Sequence, residues 1–174
     1  MSFLRKILII LFISFFSANS LFADAPYFLD FKFILNESNA GKKAQTYLKN
    51  KLDKGIKSLN NKEKNIQEEE KKIIEQKKII SPEEYKKKVT ELRSKVSNLQ
   101  KERNNLLNSV ATERAKARNE LLKNLNPIIR EYMQEKKIRM VIDKKNLLLA
   151  DENLDITKEI MGKLNQKLKS IKLN

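Results

Sequence analysis

The side chains that could do chemistry are few in kind. The chain has no histidine and no cysteine, so acid–base or nucleophilic work would fall to carboxylates, lysine, serine or tyrosine. The usual zinc ligands are missing with them. Gly41, Gly55 and Gly162 are isolated, and none opens a Gly-Lys-Ser/Thr phosphate loop. Carboxylates are plentiful, but Glu68, Glu69, Glu70, Glu83 and Glu84 fall on polar faces of helical segments, where charge is ordinarily just solvated. Asp30, Asp143 and Asp155 stand at the ends of expected elements, positions that suit capping and turning. The pattern predicts a protein that is not an enzyme, needs no cofactor and holds no metal. Its chemistry is that of a surface, lysine charge beside scattered apolar side chains.

The elements that carry this surface are two long helical segments between about Ala40 and Leu125, meeting at Ser81-Pro82. Ser81 is a good N-cap, Pro82 suits the first helical position, and Glu84 falls three residues after the cap, the form of a capping box. Upstream, Leu52, Leu59, Ile66, Ile73 and Ile80 recur every seven residues; downstream, Tyr85, Leu92, Leu99 and Leu106 do the same. Folding the chain between Pro82 and Glu83 sets Ile80 against Tyr85, Ile73 against Leu92, Ile66 against Leu99 and Leu59 against Leu106, pairs whose numbers each add to 165. An antiparallel hairpin of two arms, each about 60 Å long at ~1.5 Å per residue, is expected. The second arm carries a further column, Val89, Val96 and Val110, whereas the first has little more than one apolar residue per heptad and includes Gly55. The seam is therefore thin, and protection from exchange is expected to be lowest over residues 60–70 and near Ser81.

The first 23 residues read as a signal peptide. Arg5 and Lys6 precede an apolar core from Ile7 to Phe16, shorter than the about 20 residues a spanning helix needs, and Ser17 to Ala23 form a cleavage region with the cut placed near Ala23. The precursor has a formal charge of +15, and loss of Arg5 and Lys6 leaves +13. In the cytoplasm that excess would suggest nucleic acid; in an exported protein it suggests acidic polypeptides, anionic lipid or lipopolysaccharide, and no nucleic acid.

The two ends of the mature chain supply the base. Pro26 to Phe31 reads as a strand, and the polar stretch Asn36 to Gly41 as a turn in which Ser38 or Asn39 caps the first arm. After Asn126-Pro127, where proline should kink or restart the helix, an apolar stripe ends near Lys136-Lys137. Ile138 to Asp143, a turn at Lys144 to Asn146, and Leu147 to Ala150 then predict a two-stranded hairpin. Asp155 is placed to cap a last helix whose Ile156, Ile160, Leu164, Leu168 and Ile171 line one face. The expected fold is α+β and mostly α: residues 24–39 and 126–174 form a small β-sheet body, and residues 40–125 form a helical hairpin inserted between its strands. So small a core calls for self-association, with edge strands of several copies closing one sheet. Tyr27, Leu29, Val141, Ile142, Leu147, Leu149, Ile156 and Ile160 are the expected oligomerisation residues.

Tyr27-Phe28-Leu29-Asp30, Asn36 to Ala44, Val141-Ile142-Asp143, Leu149-Ala150 and Leu154-Asp155-Ile156-Thr157, in this order after a signal peptide, resemble the Skp/OmpH family of periplasmic chaperones. The resemblance implies a homotrimer with a β-barrel body. Three helical tentacles would enclose a cavity that holds unfolded outer-membrane proteins without ATP. In such a protein Lys71, Lys72, Lys86, Lys87 and Lys88 would attract a client, and Ile74, Ile79 and Ile80 would give weak apolar contact. An exported coiled-coil spacer is the alternative, and it has no need of the terminal strand segments.

Overall fold

A computed structural model describes residues 25–173; the expected signal peptide and its cleavage point lie outside the described residues. Strand β1 (Tyr27–Leu29) is followed by helices α1 (Phe31–Glu37), α2 (Asn39–Gln76) and α3 (Pro82–Lys136). Strand β2 (Val141–Asp143), short 3-10 turns at Lys144–Asn146 and Glu152–Leu154, and helix α4 (Thr157–Lys167) complete the chain.

Both ends of the long helices begin where the chain chemistry asks. Ser38 Oγ accepts the Gly41 N–H at 3.2 Å and starts α2, so the cap is Ser38. Asn36 and Glu37, expected in a turn, belong instead to α1, which Asp30 caps by accepting the Phe33 N–H at 2.7 Å. Gly41 is required by close approach: a Cβ there would lie 2.0 Å from the Leu35 carbonyl oxygen. At the tip, Ser81 Oγ accepts the Glu84 N–H at 3.2 Å with Pro82 in the first turn of α3. Helix α2 stops at Gln76, and Lys77 to Ile80 form the turn, with the Ile79 and Ile80 N–H groups donating to the Gln76 carbonyl.

Pro127 does not restart α3. The helix runs through it to Lys136, between Leu125 and Ile128, which are both buried. Lys137 then takes the left-handed conformation (φ 57°), and the Ile138 N–H donates back to the Met133 carbonyl at 2.8 Å, closing the helix in a Schellman turn.

The sheet corrects the expected hairpin. β1 pairs in parallel with β2, Tyr27 opposite Val141, Phe28 opposite Ile142 and Leu29 opposite Asp143. On its other side the Phe28 carbonyl accepts the Ile156 N–H at 2.9 Å. Among the described residues, Leu147 to Ala150 form no strand. The 3-10 turn at Lys144–Asn146 carries them away from β2, and Leu148 and Leu149 are fully exposed. Three leucines and an alanine have no β-branched or aromatic side chain to favour a strand without a partner. Asp155 is likewise not the N-cap of α4: Ile156 holds that position, and the Asp155 carboxylate accepts the Thr157 N–H at 2.9 Å.

The core lies where the termini meet the bottom of the hairpin. Ile34, Leu125, Ile160 and Leu164 are completely or almost completely buried there, with Leu29, Leu121, Ile128 and Ile156 around them. Leu168 and Ile171 lie past the end of α4 and still pack on this cluster.

Candidate client-binding surface

The hairpin is built from alternating layers. Leu59 and Ile73 of α2 and Val110 of α3 are buried between the helices, and Ile66, Leu92, Leu99 and Leu106 are half-buried. Between these apolar layers run polar rungs. Lys62 Nζ lies 2.6 Å from Glu102 Oε2, and Glu69 takes Lys95 Nζ on both carboxylate oxygens at 2.7 and 2.6 Å. Arg103 donates to Glu63 at 3.3 Å, Lys88 donates to Gln76 at 3.1 Å, and Lys51 donates to Glu113. The numbers of every such pair add to within one of the 165 expected from the heptads. The one-per-heptad apolar column of α2 is thus half of a seam whose other half is ionic. Over Gly55, the Leu106 methyl groups fill the space a side chain would need, at 2.5 Å from a built Cβ.

Most of these pairs are open to water, but the lowest is not. The Glu113 carboxylate is buried, and its Oε2 has no hydrogen-bond partner among the described residues. The hydrogen bond to Glu113 outweighs the cost of burial and raises the Lys51 ammonium above its ordinary pKa. In the base, burial pushes the Asp155 carboxyl up. Hydrogen bonds from the Thr157 hydroxyl and N–H and from Lys144 outweigh that, and the carboxyl titrates below the ordinary aspartate range.

The side chains expected to meet a client divide into two groups. Lys71, Lys72, Lys86 and Lys87 are exposed near the tip, as are Ile74 at 59% and Ile79 at 82% of full exposure. Ile80 is half-buried in the turn, and Lys88 is held by Gln76 and lies 3.7 Å from Glu84, so neither is freely presented. Other exposed apolar residues went unrecognised: Val96 at 51%, Leu107 and Ile56. For Val96 a signal was present, because the Val89, Val96, Val110 column has no matching apolar column in α2. Ile74 and Val96 line one groove of about 440 Å³ near the tip, with Val89 and Arg93 beside them. A second groove, about 680 Å³, opens at the bottom of the hairpin over Ala44, Leu48, Val110 and Ala117.

Of the expected oligomerisation residues, Leu29, Ile156 and Ile160 are used in the chain's own core. Tyr27, Val141, Ile142 and Leu147 are half-buried and Leu149 is exposed, so these retain apolar surface for a further contact.

A long helical hairpin rising from a base made by both ends of the chain defines a class of protein, and the comparisons agree. The chain matches the family of OmpH-like outer membrane proteins over residues 27–164. It belongs to that family. A solved structure from Caulobacter crescentus, an OmpH-like candidate outer membrane chaperone, has the same fold with a TM-score of 0.79 and 22% identity, over 86% of this chain and 90% of that one. No curated protein matches the chain. Among the described residues, no helix is long and apolar enough to cross a membrane.

Proposed function

We propose that the protein is a periplasmic holdase that binds unfolded outer-membrane proteins between helical arms, without ATP, and prevents their aggregation on the way to the outer membrane. The observation that carries this reading is the exposure of Ile74, Ile79 and Val96 near the tip of the hairpin, beside Lys71, Lys72, Lys86 and Lys87. A helix that serves only as a spacer gains nothing from isoleucine in water. A holder of unfolded chains gains several weak apolar contacts, with charge to draw an acidic client in. Membership of the OmpH-like family supports the same reading.

In this proposal residues 24–39 and 126–174 are the body, residues 40–125 are the arm, and three copies associate through their bodies into a barrel. The edge of β2 that pairs with no strand among the described residues, the half-buried Tyr27, Val141 and Ile142, and the exposed Leu148 and Leu149 support association at the base. Anionic lipid or lipopolysaccharide remains a further partner in the proposal, drawn by the +13 charge of the mature chain. The test is the mass of the mature protein in sedimentation, alone and with a denatured outer-membrane barrel protein. A trimer that gains the mass of one client supports the proposal, and a trimer that takes up no client sends the reading to the spacer.

A further inference from the structure

The two faces of the hairpin that flank its seam are chemically different. On one, Lys62–Glu102, Glu69–Lys95 and Gln76–Lys88 join the helices, and Asn65 and Asn98 lie between the rungs in a shallow groove of about 280 Å³. Lys62 and Lys95 on this face are paired with carboxylates across the hairpin and Lys88 lies 3.7 Å from Glu84, and none of the large exposed apolar side chains lines that groove.

The other face carries the groove shared by Ile74 and Val96. Ile56 precedes Ile74 by five full turns at ~3.6 residues per turn, and Leu107 follows Val96 by about three turns, so both fall on this same side. Toward the base a separate, larger groove opens, with the buried Leu48 and Val110 in its floor. Cations border this face at both ends, Arg93 near the tip and Lys49, Arg114 and Arg118 at the base, against Glu70 within the upper groove. Its one bridging pair among the described residues is Glu63–Arg103.

We infer that an unfolded client lies along this face alone, as one extended acidic and apolar-rich segment running from the base groove at Leu48 and Val110 to Ile74 and Val96. The inference rests on the holdase reading and names the surface that performs it. From Leu48 to Ile74 the helix rises about 39 Å at ~1.5 Å per residue, the span of about 12 residues of extended chain. The apolar points are separated and shallow, which suits a chain touching at several places, each contact weak and the sum held by avidity. The cationic excess along this face complements an acidic segment, whereas on the opposite face Lys62 and Lys95 are already paired with carboxylates.

The test places a photo-crosslinking side chain in the mature full-length protein at Ile74, Val96 or Leu107, and on the opposite face at Asn65 or Asn98. The probe is a urea-denatured outer-membrane barrel protein diluted into a solution of each variant, with phosphatidylglycerol vesicles as a separate arm. Crosslinking to the polypeptide about tenfold stronger from the first three positions than from the other two supports the inference. The variant Ile56→Asn, Val96→Asn, Leu107→Asn, with its helix content checked by circular dichroism, should then need several times more protein for equal suppression of aggregation, while Lys95→Gln should not. Suppression that persists with equal crosslinking from both faces overturns the face assignment and leaves the holdase reading standing. Absence of both suppression and crosslinking at every position sinks the holdase reading itself. Crosslinks from Ile74 or Val96 to phospholipid but not polypeptide, or to a second copy in the absence of client, also overturn the inference.

Discussion

Lys95 reaches across the hairpin and puts its Nζ 2.7 and 2.6 Å from the two carboxylate oxygens of Glu69, in step with Lys62–Glu102 one heptad below and Lys88–Gln76 one heptad above. The ladder fixes register where apolar residues are sparse. It does so without adding much stability, since exposed pairs of this kind contribute roughly 0.2–1 kcal/mol each.

That difference between register and stability separates two substitutions. Glu69→Gln should cost less than about 1 kcal/mol in urea unfolding and lose most of that effect at high salt. Lys51→Met should cost clearly more, because it leaves the buried Glu113 carboxylate without its ion partner. Adding Glu113→Leu to Lys51→Met should restore most of the loss, as buried pairs replaced by apolar side chains often do. Equal losses for Glu69→Gln and Lys51→Met would remove the distinction.

The two glycines of the hairpin should respond differently to alanine. At Gly41 the new Cβ meets the Leu35 backbone at 2.0 Å, and the chain must shift, at a cost of about 1–3 kcal/mol. At Gly55 it meets only the ends of the Leu106 side chain, which can turn aside, and alanine adds about 1 kcal/mol of helix propensity in return. Thermal melts should show Gly41→Ala well below the parent and Gly55→Ala close to it.

Acid should weaken the base through Asp155. Its charged form is favoured in the folded chain, so that contribution is complete above the unfolded aspartate value of about 3.9 and disappears as pH falls through the lower folded value. Asp155→Asn should be less stable than the parent at neutral pH, by about 1–2 kcal/mol. The gap should close as pH falls below the ordinary aspartate range, and a gap that stays constant down to the acid limit would contradict the assignment.

Much of this was legible in the residues. The Ser81-Pro82 cap and the two heptad columns place the turn and the pairing of the helices, because local capping and a seven-residue period survive without tertiary information. The ionic rungs were equally readable, since Glu69 and Lys95 obey the same fold point as Ile66 and Leu99, yet charged residues on a helix look like solvated surface until their partners are sought. Leu147 to Ala150 misled for the opposite reason. Apolar character alone suggested a strand, but a strand needs a neighbour, and the parallel pairing of β1 with β2 draws residues 29 and 143 together across the whole hairpin. Of the residues expected to meet a client, exposure of Ile74 and Ile79 followed from their place off the heptad column. The use of Lys88 by Gln76 depends on the distance between two helices and could not be read from either alone.

The central claim is that the hairpin holds unfolded chains without nucleotide, and light scattering tests it most directly. A denatured outer-membrane barrel protein is diluted from urea into buffer with the mature protein, with no ATP, beside a variant that lacks residues 55–110. Suppression of aggregation by the full chain and none by the shortened one, while both sediment as trimers, is the expected result. Equal protection by the two, or none by the full chain, would contradict the account.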